Sequence, residues 1–139
     1  MASFFPTHDL AYGAWSEISQ TKAEAFSQFT EGEKDALFDE LVRLTKSVTA
    51  AIECGDERLL ISHLAWLVRG VSNKYFTVEE WQFVLEHIFD GVAKTLEKVT
   101  GITCNAVADL RKVAIDFLND REQPLIIGEL YKQVILNTN

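Results

Sequence analysis

The stretch Asp56-Glu-Arg-Leu-Leu-Ile-Ser-His-Leu-Ala-Trp-Leu-Val-Arg-Gly-Val-Ser-Asn-Lys74 decides the fold. Wound at about 3.6 residues per turn, it gathers Leu60, Leu64, Leu67, Val68 and Val71 on one side. Leu59, His63, Trp66 and Gly70 fall on a second stripe, roughly 100° or more away. A helix that is apolar on two sides has to be covered on both, by its own domain or by a partner. Two readings of the second stripe stand. It is either the buried flank of a central helix or a self-complementary dimer face, with Gly70 letting another backbone come close.

Working outward, the flanks read as helices too. Thr30 followed by Glu33 is a capping box, in which each side chain satisfies a backbone donor at a helix start. Leu37, Leu41, Leu44, Val48 and Ile52 then repeat at helical spacing, and Gly55 can close the helix in the left-handed conformation. Asp56 can cap the next one. On the far side, Thr77 with Glu80 is a second capping box, predicting a helix from about Val78 to Val99 with a stripe of Trp81, Leu85, Ile88, Val92, Leu96 and Val99. Gly101 ends it. Thr103 or Asn105 caps a further helix carrying Ala106, Leu110, Val113, Ala114 and Phe117, and Pro124 suits the first turn of a last helix to about Leu136. Upstream, residues 1–12 read as an arm whose Phe4, Phe5 and Leu10 pack on the body. A first helix is expected from about Gly13 to Gln28, with Trp15, Ile18, Ala25 and Phe29 along one side. No stretch alternates with period two. The expectation is an all-α single domain over 1–139, with five or six helices in a globin-like or irregular bundle.

Composition agrees with a packed core. Of the 139 residues 47% are hydrophobic and 24% charged, and only two prolines and seven glycines interrupt the chain. The net charge of −8, with no basic cluster, opposes binding to nucleic acid or to an anionic membrane surface, since both require Lys and Arg against phosphates. The apolar runs are too short to span a bilayer, and the first residues lack the basic start and apolar run of a secretory leader. Cys54 and Cys104 have neither disulfide-framework nor zinc-site spacing, and read as two small core residues in a reducing cytoplasm.

Tests for chemistry find little. No Glu-x-x-His pair, nucleophile elbow, phosphate loop or Cys–His context occurs. The three histidines are His8, His63 and His87, and the adjacent Glu86 and His87 point about 100° apart on a helix. His63 could serve a haem as axial ligand, but a lone histidine between Leu60 and Leu64 is more simply a hydrogen-bonded buried one. Phe83 falls on the outer side of its helix beside His87, with which it forms an i,i+4 pair. Either the arm or the last helix covers it, or it anchors a partner.

Three segments, Cys54-Gly-Asp-Glu-Arg-Leu-Leu, Leu67-Val-Arg-Gly-Val-Ser and Val78-Glu-Glu-Trp-Gln-Phe-Val-Leu, carry a resemblance to the globin-like, non-haem N-terminal sensor domains of bacterial stressosome proteins. It covers roughly residues 30–120 and implies a haem-free, globin-like fold that pairs into dimers and passes signals to other domains. The same region also resembles the helical cap of cobalamin-binding regulators, where a Glu-His pair lies over the cofactor. Glu86-His87 is the matching dipeptide, although Trp81 stands only five residues before Glu86, closer than that family places it.

The sequence therefore predicts a cytoplasmic, non-enzymatic regulatory or adaptor protein without a cofactor, binding another protein through a helix face as a homodimer. Its interface residues would be Leu59, His63, Trp66, Gly70, Phe83 and His87. The alternative is a sensor holding haem, a tetrapyrrole or another apolar molecule beside His63 or His87.

Overall fold

A computed structural model of the chain describes residues 5–69, 76–100 and 105–119. Among these residues there are six helices and no strand: α1 Thr7–Thr21, α2 Ala23–Ser27, α3 Glu31–Cys54, α4 Arg58–Arg69, α5 Val78–Thr100 and α6 Asn105–Asn119. The protein is all-α. Gly70, Val71, Gly101, Thr103, Cys104 and the expected last helix after Pro124 lie outside the described residues.

The capping signals act where the sequence placed them. At α3 the Glu33 N–H donates to Thr30 Oγ1 (3.1 Å) and the Thr30 N–H to Glu33 Oε1 (3.0 Å). At α5 the same reciprocal pair joins Thr77 and Glu80 at 2.9 and 3.1 Å. α3 ends on Gly55 at φ 63°, ψ 32°, with the Gly55 N–H donating to the Ile52 carbonyl and the Asp56 N–H to that of Ala51. That two-bond closure is a Schellman motif, which turns the chain sharply enough for α4 to run back along α3. Asp56 then accepts the Arg58 N–H on its carboxylate at 3.1 Å and starts α4.

The beginning of the chain differs from the expectation. α1 opens at Thr7, directly after Pro6, so the arm over 1–12 is corrected to a helix from its seventh residue. The cause is tertiary: Ala11, Ala14 and Ile18 are fully buried where α1 packs on α3 and α5, and His8 meets Phe38 edge-on at 5.3 Å. The single helix expected from Gly13 to Gln28 is broken at Lys22 (φ −117°, ψ 44°), and α2 sets off in a new direction. The break lets Phe26 enter a cluster with Trp15 (4.9 Å), Phe29 (5.5 Å) and Phe76 (5.9 Å).

One core serves all six helices. Leu41, Leu44, Val48, Leu60, Leu64, Leu67, Leu85, Ile88 and Val92 are wholly buried in it, so the stripes read for α3, α4 and α5 face inward. The α6 stripe is rotated slightly, with Val107 buried in place of the exposed Ala106. Cys54, expected in the core, is exposed because α3 is already ending there. α4 packs on α3 and α6, and its other side is left to the surface.

Candidate functional site: the outer face of α4

α4 is the most strongly amphipathic of the long helices among the described residues, and its two stripes have different fates. Leu60, Leu64 and Leu67 are sealed in the core. On the second stripe Leu59 is 43% and Trp66 45% exposed, and the only other large exposed hydrophobic among the described residues is Tyr12 on α1. A shallow groove of about 530 Å³ runs between them, floored and flanked by Glu40, Arg43, Ser62 and His63.

Between the exposed pair lies a polar clasp joining α4 to α3. His63 Nε2 is 2.7 Å from Glu40 Oε1, and His63 Nδ1 is 2.6 Å from Ser47 Oγ. Glu40 and Ser47 stand two turns apart on one face of α3, and the imidazole reaches across from α4 to bridge them. The second carboxylate oxygen of Glu40 accepts from Arg43 Nε (3.2 Å) and is ion-paired with Nη2 of the same guanidinium at 3.1 Å. Glu40 is thereby buried, with its side chain only 5% exposed, while both of its oxygens are partnered. His63 is 14% exposed at its side chain, with the Trp66 ring 6.3 Å away.

The protonation pattern follows from these contacts. Burial alone would push the Glu40 carboxyl up; the His63 hydrogen bond and charge, joined by the Arg43 guanidinium, outweigh it and hold the group below the ordinary carboxylate value. An ionised Glu40 is acceptor only, so Nε2 carries the proton toward it and Nδ1 accepts from the Ser47 hydroxyl.

Hydroxyl, imidazole and carboxylate in series are also the connectivity of an activated nucleophile. Here, however, the groove is lined by Glu40 and His63 but not by Ser47, which lies within α3 on the far side of the ring. Axial ligation by His63 would break one of its two short hydrogen bonds. His87 is half-buried, and its Nε2 lies 3.8 Å from where a Cβ on Gly13 would stand, so α1 covers it there. Phe83 is half-buried and packed on the core, not free on the outer side. The structure thus brings Leu59, His63 and Trp66 together, keeps Phe83 and His87 out of that groove, and Gly70 lies outside the described residues.

A second groove, about 420 Å³, separates α5 from α6 over Phe89, Ala93, Val107, Ala108 and Ile115. Arg111 bridges its rim to Asp90 at 3.2 Å and to Glu86 at 3.8 Å. No group of three or more His, Cys, Asp or Glu side chains that could hold a metal ion occurs among the described residues. No helix there is long and apolar enough to cross a membrane.

Glu40, Arg43, Ser47 and Ser62 were not singled out from sequence. The available signal was a histidine on a leucine-rich helix, which needs partners, and Glu40 with Ser47 flanking the buried α3 stripe at a spacing of seven. Comparisons with protein-family models, with curated proteins and with solved structures return no match to this chain.

Proposed function

We propose that the protein is a non-enzymatic regulatory or adaptor module that acts by binding other chains through the outer face of α4, and that it does so as a homodimer. The observation that carries this reading is the pairing of Leu59 and Trp66, two large apolar side chains left in water on one face of a helix that is otherwise locked down. The clasp supports it: Glu40, His63 and Ser47 fix the rotation of α4, so the exposed pair is presented rigidly, with little further ordering to offset on binding. A tryptophan in such a setting is the usual energetic centre of an interface. The sequence resemblance to sensor domains that pair into dimers points the same way. An exposed thiol at Cys54 fits a reducing cytoplasm.

The test is light scattering coupled to size exclusion on the wild type and on Trp66→Glu. The wild type should run as a dimer at micromolar concentration. The variant should run as a monomer with unchanged far-UV circular dichroism, because Trp66 contributes little to the core. A wild type that stays monomeric at every concentration reached would refute the reading.

A further inference from the structure

α6 ends at Asn119, and the chain beyond it carries a pattern that has to be covered. Wound as a helix from Pro124 to Leu136, it sets Ile126, Ile127, Leu130, Tyr131 and Val134 within about 140° of one another, with Glu129 and Lys132 on the opposite side. A stripe of that width must be buried, in the same chain or in another. We infer that it lies in the groove between α5 and α6, so that Pro124–Leu136 folds back along α6 as a further helix of the same core. The seating of this tail stands apart from the outer face of α4 and holds whether or not two copies associate there.

Direction and length both follow from the chain. Pro124 lacks the N–H that a continuous helix needs and its ring clashes with the preceding turn, so α6 cannot run on through it as one rod. Residues 120–123 are left as the connection. Four residues fall within the two to five that join antiparallel helices, so the next helix returns beside α6. From Asn119 back to Ala108 is about 16.5 Å along the axis, and the thirteen residues Pro124–Leu136 span about 19.5 Å. Val134, ten residues on from Pro124, then comes level with Ala108. So short a tether makes docking intramolecular, at an effective concentration of the order of millimolar, which favours this segment over the same stripe of a second copy.

α6 offers two flanks, and their chemistry selects one. Toward α4 there is a crevice lined by Asp56, Glu57 and Asp109, carboxylates that an apolar stripe would strip of water. Toward α5 the groove is floored by the buried Phe89 and Val107, with the half-buried Ile115 and the exposed Ala93 and Ala108. Alanines facing each other across a groove allow a helix to settle to the 8–10 Å of ordinary packing. Arg111 at the rim is held by Asp90 and Glu86. Glu97, Lys112 and Asp116, which also line the groove, are exposed and keep their charged ends in water at its edges.

Disulfide trapping in the full chain tests the seat. In a Cys54→Ser, Cys104→Ser background, Ala108→Cys with Val134→Cys should close a bond within one chain under mild oxidation, read as a faster monomer band on a non-reducing gel. Leu59→Cys with Val134→Cys, whose first position is likewise exposed but on α4, should not. Should that background fail to fold, a photo-crosslinking amino acid at position 108 of the otherwise natural chain reads the same proximity, with attachment expected within residues 126–136 of the same molecule. Ala108→Trp, a change at an exposed site, should fill the groove and speed trypsin cleavage after Lys132 about tenfold or more, since cleavage follows the undocked population. Trp66→Ala should leave that rate unchanged. Covalent dimers in place of the linked monomer would seat a second copy's tail in the groove, and equal linkage from positions 59 and 108 would leave the tail without a fixed seat. Either result, or a cleavage rate indifferent to Ala108→Trp, overturns the inference, and none of them bears on the outer face of α4.

Discussion

Glu40 is the residue on which the attachment of α4 to α3 turns. Both of its oxygens are committed, one to His63 and one to Arg43, and its depressed carboxyl makes it a source of stability that depends on pH. The sign follows from linkage. The unfolded chain takes up a proton near the ordinary value of 4.5, whereas the folded chain holds off until lower pH. The contribution is therefore fully present above that value and is lost as pH falls through the folded value. Urea unfolding of the wild type should show stability declining below about pH 4.5, and Glu40→Gln should lose that component of the decline. At pH 7 the substitution should cost about 2 kcal/mol, the range for hydrogen bonds to a charged group at a buried position. Ser47→Ala should cost about 1 kcal/mol and leave dimerisation intact. A p-nitrophenyl ester hydrolysed by the wild type and not by Ser47→Ala would instead identify the same three groups as a nucleophile and its base.

At the scale of the element, what was legible depends on whether the signal is local. The two Thr-x-x-Glu boxes and Gly55 act within one turn of backbone, and the structure has all three as read. Gly55 sits at φ 63°, where an L side chain crowds its own carbonyl, so Gly55→Ala should lower stability by about 1 kcal/mol in thermal or urea unfolding without altering the dimer. The break at Lys22 has no such signal. Neither glycine nor proline marks it, and the apolar spacing runs across it from Ile18 to Ala25. Only the packing of Phe26 against Trp15 and Phe76, from a distant part of the chain, shows why the helix turns there. The early start of α1 is hidden for the same reason. Leu10, read as an arm residue packing on the body, does so, but from within a helix so close to α5 that a Cβ on Gly91 would lie 2.7 Å from Leu10 Cδ2. The clasp itself joins positions 16 and 23 residues apart, and periodicity on each helix locates His63 without revealing its partners.

Across the whole molecule, α4 has two faces with two different tasks, and adjacent turns of one helix can separate them. Leu64 is fully buried between α4 and the rest of the core, whereas Trp66 is half in water on the opposite side. Leu64→Ala removes buried methyl groups and leaves a cavity, so it should lower monomer stability by about 2–5 kcal/mol. Because the clasp and the exposed pair remain, the dissociation constant of the folded dimer should move little. Trp66→Ala should do the reverse. It removes an interface anchor worth on the order of 2 kcal/mol, a weakening of roughly thirtyfold, and unfolding measured in dilute solution, where the protein is monomeric, should barely change. Denaturant titration at low concentration, paired with sedimentation at several concentrations, reads the two quantities separately. If both substitutions lowered monomer stability equally, Trp66 would belong to the core, and the outer face of α4 would lose its claim to be a surface made for a second chain.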